Sequence, residues 1–151
     1  MKILIVEDEW KTLKGLSNLI AELGGEYEIA GQARSGEEGI RMAMELRPDI
    51  IITDIRMNGM TGLEMMKALN EEKLACRYII LSGYAEFQYA KEAISLGSMD
   101  YLLKPITKEI LEESLRKVRT AIEEEAQNIR TSSMDMEQIL ERALFMQGFS
   151  G

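Results

Sequence analysis

Histidine does not occur in this chain, cysteine and tryptophan occur once each, and proline occurs twice. Without imidazole the commonest metal ligand and the usual general base are gone, so any chemistry must run on carboxylates. The lone Cys76 rules out an intrachain disulfide and suits a reducing compartment, where a thiol serves as a small apolar side chain. Basic residues are the minority: 18 lysines and arginines stand against 26 acids, a net charge of -8. That balance disfavours this segment by itself as a polyanion binder, because phosphate contacts need clustered lysine and arginine. No apolar stretch reaches the roughly 18 residues of a membrane span, and no charged-then-apolar leader opens the chain. A cytoplasmic protein with no membrane partner is expected.

What the chain does have is a series of short apolar runs, each delivering a polar group at its carboxyl end. Ile3, Leu4, Ile5 and Val6 lead into Glu7 and Asp8, and Ile50, Ile51, Ile52 and Thr53 lead into Asp54. Tyr78, Ile79, Ile80 and Leu81 end at Ser82, and Tyr101, Leu102 and Leu103 run into Lys104 and Pro105. Continuous apolar runs are the mark of strands buried on both faces. In an open parallel sheet the crevice outside the strand carboxyl ends is where ligands bind, so carboxylates, a hydroxyl and an ammonium should converge there.

Helical periodicity fills the gaps between these runs, which predicts stacked βα units with helices on both faces of the sheet. Leu13, Leu16, Ile20 and Leu23 share one helix face, and Gly24-Gly25 supplies the stop. Residues 27–33 read as a strand. Ser35 with Glu38, and Thr61 with Glu64, have the spacing of capping boxes, while Pro48 closes the helix that begins at Ser35. A helix over about residues 86–96 is expected to bury Phe87, Ala90 and Ile94 and to stop at Gly97. Met65, Met66 and the other methionines are expected as core filler. About five strands and five helices fit into roughly the first 125 residues.

Taken singly, each polar residue has a plainer reading. Glu7, Asp8 and Glu9 could cap the first helix, Asp54 could open a turn into Asn58-Gly59, and Lys104 and Ser82 could be ordinary surface groups. Their joint placement at strand ends argues against coincidence.

Val-Glu-Asp at 6–8, Asp-Ile-Arg-Met at 54–57, Leu-Ser-Gly at 81–83 and Asp-Tyr-Leu-Leu-Lys-Pro at 100–105 occur in the order found in the receiver domain of two-component response regulators, which the chain resembles from Lys2 to about Arg119. The resemblance implies a doubly wound, flavodoxin-like α/β fold with a five-stranded parallel sheet in the order 2-1-3-4-5. It implies that Asp54 accepts a phosphoryl group from a phosphohistidine on a sensor histidine kinase, so that the domain is a phosphoacceptor and not a turnover enzyme. It further implies Mg2+ held by Asp8, Asp54 and the backbone carbonyl of Arg56, with Glu7 holding a bound water. Ser82, Gly83 and Lys104 would receive the phosphoryl group, Ser82 and Tyr101 would form the switch, and a cis bond before Pro105 would aim the lysine. The chemistry is consistent with those roles: phosphoryl transfer mostly requires positioning and charge neutralisation, and magnesium prefers oxygen ligands.

Asn58 stands where the family usually has proline, which should loosen the loop after Asp54, and Ser82 replaces the commoner threonine. Arg56 and Tyr84 are bulky neighbours of the reacting centre and imply a longer-lived phosphorylated state. Residues 83–93 resemble receivers joined to AraC-type helix-turn-helix output domains, implying a transcription factor that contacts DNA only through an output domain outside this chain; a homodimer on phosphorylation is expected, with the helical stripe after residue 111 able to pack on a second copy. Leu111, Leu115, Val118, Ile122 and Ile129 keep a helical stripe past the end of the expected fold. Thr131, Ser132 and Ser133 should break it, and Met136, Ile139, Leu140, Ala143 and Leu144 begin another apolar face. A receiver over 1–125 and a helical linker over 126–151 are expected. A stand-alone receiver acting by protein contact is the main alternative. A magnesium-dependent phosphohydrolase of the haloacid-dehalogenase type fits less well, because Arg56 occupies the place of its second aspartate. A flavin site fits poorly too, since Glu7 and Asp8 would repel the flavin phosphate.

Overall fold

The computed structural model describes residues 1–83 and 87–150, without the side chains of Phe87, 130–135 and 145–150. Five βα units follow one another: β1 (Lys2–Val6), α1 (Trp10–Leu23), β2 (Glu28–Ala33), α2 (Gly36–Leu46), β3 (Ile50–Asp54), α3 (Gly62–Glu71), β4 (Arg77–Ser82), α4 (Phe87–Ser95), β5 (Ser98–Leu103) and α5 (Lys108–Ser150). All strand pairs are parallel, and the order is β2-β1-β3-β4-β5. The continuous apolar runs take the central positions. Ile3 to Val6 and Ile50 to Ile52 have no exposed surface, and full burial of each such side chain is worth about 1.5–3 kcal/mol.

Register carries the polar strand ends to one edge of the sheet. Val6 pairs with Thr53, Asp54 with Leu81, and Ser82 with Leu103, so Glu7, Asp54, Ser82 and Lys104 all emerge at the same level. Beyond Ser82 the ladder is extended by Lys104 N–H, which donates to the Ser82 carbonyl at 2.8 Å. On β5, Asp100 accepts a 2.9 Å bond from the buried Ser114 hydroxyl of α5, tying that helix to the strand that carries Lys104.

The helices begin and end for identifiable local reasons. Ser35 Oγ accepts from Glu38 N–H at 3.1 Å, but the Glu38 carboxylate reaches back to the N–H of Arg34 at 3.2 Å, one residue earlier than a standard capping box. Replacing Ser35 with alanine is expected to lower stability by about 1 kcal/mol in urea unfolding, the usual cost of losing an N-cap. At the other end of α2, the chain turns at Arg47 in a left-handed conformation (φ 47°), its N–H bonded to the Ala43 carbonyl, so the stop falls at the residue before Pro48. Gly24, at φ 100°, ends α1 as expected.

One helix phase differs from the sequence expectation. On α4 Ala93 is buried and Tyr89 and Ala90 are half-buried, as is Leu96 just past the helix, whereas Ile94 is 67% exposed. Apolar residues at 89, 90, 93, 94 and 96 allow two helical phases, and the one chosen places the Tyr89 ring against the core. Phe87 lies outside the described side chains. Cys76 is half-buried beside the core, and burial raises its thiol pKa, which leaves it unreactive.

Two compact units are present, residues 1–118 and 119–151. In the first, Leu111, Leu115 and Val118 of α5 are fully buried. In the second, the backbone is helical through Thr131, Ser132 and Ser133, where a break was expected. Serine and threonine inside a helix cost only a few tenths of a kcal/mol each, too little to stop it alone. Ile129, Met136, Ile139, Leu140 and Leu144 of this unit are exposed.

Candidate functional site

Three of the expected site residues meet directly. The Lys104 ammonium lies 2.5 Å from Asp54 Oδ2 and 3.8 Å from Glu7 Oε2. Glu7 is 1% exposed and Asp54 is 6% exposed, so two acids face one base largely out of water. Asp54 Oδ1 accepts from the N–H of Arg56 at 3.2 Å. Glu7 Oε1 accepts a 3.3 Å bond from Glu9 N–H, while Glu7 Oε2 is buried without a hydrogen-bond partner among the described residues. The helix-capping alternative for this acidic run is not what forms, because Glu9, at the N-cap of α1, makes no side-chain cap.

Charge imbalance shows in the titration of the cluster. Burial, and then the adjoining Asp54 carboxylate, push the Glu7 carboxyl up to about 8. Asp54 acts there both as a like charge and as an acceptor for the Glu7 proton. Burial works against the Lys104 ammonium, yet Asp54, Glu7 and Glu9 outweigh it and hold it above the ordinary lysine range. The crevice is therefore short of positive charge.

Asp8, half-buried, is linked to the loop after β3 through Asn58, whose N–H donates to Asp8 Oδ2 at 2.9 Å. The expectation that Asn58 would loosen this loop is corrected by that bond: a proline here would have no N–H to give, so asparagine supplies a tie that the commoner residue cannot. Ser82 is buried, and Gly83 follows it at an exposed position where an added Cβ would meet nothing within 4 Å. Tyr101 is half-buried against the core, and the Lys104–Pro105 bond is cis. Tyr84 lies outside the described residues. Arg56 is exposed, with its guanidinium 5.6 Å from the centroid of the Tyr89 ring.

Two features were not singled out from the sequence. Gly62 sits so close under Asp54 that a Cβ would stand 2.3 Å from the Asp54 carbonyl oxygen. Its position just after the cap residue Thr61 was the sole sequence signal. Arg34 donates to the Asp8 carbonyl at 3.3 Å and packs over Trp10, at 5.7 Å from the ring centroid, on the rim beside Asp8. No sequence spacing links those two residues.

Among the described residues no three acidic, histidine or cysteine side chains form a ready metal cluster, since Asp54 Oδ2 faces Lys104 and Asp8 Oδ2 faces Asn58. The donor set nevertheless fits a hard divalent cation. All its side chains are oxygen donors, and the buried Glu7 Oε2, which has no hydrogen bond among the described residues, is a place where added positive charge is favourable.

A doubly wound α/β domain with an acidic crevice and one lysine at its strand carboxyl ends is the class that this fold and site define. The chain belongs to the response regulator receiver domains, whose family model matches residues 3–116. It is 37% identical over 117 residues to the uncharacterized transcriptional regulatory protein YesN of Bacillus subtilis (strain 168), covering 78% of this chain and 32% of that protein. With the transcriptional regulatory protein YdfI of the same organism it shares 43% over 110 residues, covering 73% of this chain and 51% of YdfI. Among solved structures, the REC domain of AraT, a response regulator from Geobacillus stearothermophilus, superposes with a TM-score of 0.74 at 38% identity, covering 83% of this chain and 97% of that one. The chain thus spans about a third to a half of these two curated relatives. Among the described residues no helix is long and apolar enough to cross a membrane.

Proposed function

We propose that the domain accepts a phosphoryl group on Asp54 from the phosphohistidine of a sensor histidine kinase and passes the change to a transcriptional output. The observation that carries this reading is the buried Glu7, Asp54 and Lys104 cluster, in which one acid oxygen, Glu7 Oε2, has no hydrogen-bond partner among the described residues and lies 3.8 Å from the Lys104 ammonium. One Asp54 oxygen attacks phosphorus; the new O–P bond forms as the N–P bond to imidazole breaks, and the imidazole keeps the electron pair. For this Asp54 must exchange its contact with Lys104, whose ammonium then pairs with a phosphoryl oxygen. The Ser82 hydroxyl donates to another oxygen, and Gly83 leaves the approach open. Mg2+, held by Asp8, Asp54 and the Arg56 carbonyl with Glu7 behind a water, would neutralise the charge gathered there. Pro105 sets where Lys104 leaves its strand.

Output follows from differential contacts made by one covalent group. Drawing Ser82 inward opens space that Tyr101 fills, which changes the α4, β5 and α5 face and favours a homodimer. In this reading the domain occupies 1–125, with 126–151 a linker to a DNA-binding domain, of AraC type on the likeness of residues 83–93. The protein is cytoplasmic and is not a turnover enzyme.

The test is to supply Mg2+ and acetyl phosphate and follow intact mass and oligomeric state. The parent should gain one phosphoryl group, and Asp54→Asn should gain none. An unmodified parent, or equal labelling of the variant, overturns the reading.

A further inference from the structure

Asp8 is gripped by two loops other than its own. Its backbone carbonyl accepts from the Arg34 guanidinium at 3.3 Å, out of the connection between β2 and α2, and its Oδ2 accepts from the Asn58 N–H at 2.9 Å, out of the loop after β3. No other hydrogen bond reaches the Asp8 side chain among the described residues, so Oδ1 is left over. The loop that supplies the Asn58 donor is itself held along its length. Gly62 N–H closes its base on the Ile55 carbonyl at 2.9 Å, and Arg56 N–H bonds Asp54 Oδ1 at 3.2 Å. Met60 sits over Gly36 at the start of α2, where an added Cβ would stand 2.8 Å from the Met60 Cβ and Cγ. Asn58 therefore offers a backbone donor at a set place, not a side chain that can swing. A hydrogen bond on one carboxylate oxygen orients the whole group, and partners of this kind are worth about 10- to 100-fold in metal affinity. They matter most where the donors are dispersed, and among the described residues no three acids converge on one point.

We propose that Asn58 is a positioning residue for the divalent cation, acting through its backbone N–H: it holds Asp8 Oδ2, leaves Oδ1 to the metal, and fixes the span between Asp8 at the end of β1 and the Arg56 carbonyl on the loop after β3. The inference rests on Asp8 and that carbonyl being ligands, as the proposed function has them. A fixed span also discriminates between cations. Mg2+ demands short contacts in near-octahedral geometry, whereas Ca2+ accepts longer and more irregular ones. The tie thus favours Mg2+ over Ca2+.

Calorimetric titration of Mg2+ and of Ca2+ into the unphosphorylated protein, freed of metal by chelator, tests this without any phosphoryl transfer. Asn58→Pro removes the N–H and suits the backbone, because Gly59 follows at φ 79°, the conformation of the residue after proline in a type II turn. It should weaken Mg2+ binding about tenfold and Ca2+ binding by less than about threefold. Asn58→Ala keeps the N–H and should match the parent for both ions. In the parent the Asn58 amide should exchange slowly with deuterium, and should stay as slow when Mg2+ saturates the protein. A proline variant that binds Mg2+ as tightly as the parent, equal losses for the two ions, an alanine variant as weak as the proline one, or an Asn58 amide that Mg2+ sets free overturns the inference. A Mg2+ affinity that Asp8→Asn leaves unchanged overturns the ligand assignment with it, while labelling of Asp54 by acetyl phosphate tests the phosphoacceptor separately.

Discussion

Gly62→Ala is expected to destabilise the domain by about 2–3 kcal/mol in urea unfolding and to slow phosphorylation of Asp54 with it. A Cβ at this position would stand 2.3 Å from the Asp54 carbonyl oxygen, 3.2 Å from its carbonyl carbon and 3.2 Å from Thr53 Oγ1. The nearest obstacle is backbone, so no side-chain rotation relieves it. Neighbouring bonds restrict the backbone too: Gly62 N–H donates to the Ile55 carbonyl at 2.9 Å, and Thr53 Oγ1 donates to the Asp54 carbonyl at 3.0 Å. The start of α3 must move away or the end of β3 must shift, and the second choice displaces Asp54 itself. The lower backbone entropy of alanine returns at most about 1 kcal/mol. Gly15→Ala is the control, because that glycine is exposed within α1 and a Cβ there meets nothing within 4 Å; it should gain roughly 0.5–1 kcal/mol. A Gly62→Ala protein as stable as the parent would show that the approach is not tight in solution.

The same contrast shows how far the sequence could be read. Strand identity was legible because Ile3 to Val6 and Ile50 to Ile52 are short, mostly β-branched and apolar without interruption, as strands covered on both faces are; the strand order came from the likeness to receiver domains and not from the runs. The meeting of Glu7, Asp54 and Lys104 was legible as well, since a parallel register sends every strand's carboxyl end to one edge. What could not be read depends on contacts across the fold. Ile94 and Ala90 make as good an apolar stripe as Ala93 and Leu96, and only the docking of α4 selects the phase that packs Tyr89 against the core. The tie from Asn58 to Asp8 spans fifty positions and uses a backbone N–H, which no side-chain pattern announces. The burial of Glu7 belongs here too: it follows Val6 without any change in composition to mark it as the acid that ends up 1% exposed while Asp8 stays half open. Helix through Thr131 to Ser133 shows the converse limit, in which weak local preferences are outweighed by strong helix formers on either side.

Glu7 carries the second large effect. Without divalent cations, the stability of the parent should fall as pH rises from about 5 to about 8, by on the order of 3 kcal/mol in total. The sign follows from the two states: the unfolded carboxyl titrates near 4.5 and the folded one near 8. Between those values the native protein holds a proton that the unfolded chain has released, so each unit of pH favours unfolding by up to about 1.4 kcal/mol. The contribution is fully present below 4.5 and is lost as pH passes 8. Lys104 does not reverse this, because its ammonium is held above the ordinary lysine range and stays charged across the window. Glu7→Gln keeps the shape and removes the titration, so its stability should be nearly flat over the same range and should exceed the parent's at pH 8 in chelator. Mg2+ should stabilise both proteins, but to different extents and with different pH dependence. Positive charge beside ionised Glu7 and Asp54 offsets their repulsion, so added Mg2+ should stabilise the parent more at pH 8 than at pH 6, releasing the Glu7 proton as it binds. For Glu7→Gln the gain from Mg2+ should be smaller and independent of pH. Urea unfolding at half-unit steps from pH 5.5 to 8.5, with and without Mg2+, measures all four curves. Parallel slopes for parent and variant in chelator would mean that the buried acid of this crevice is ionised throughout, with enough positive charge already beside it.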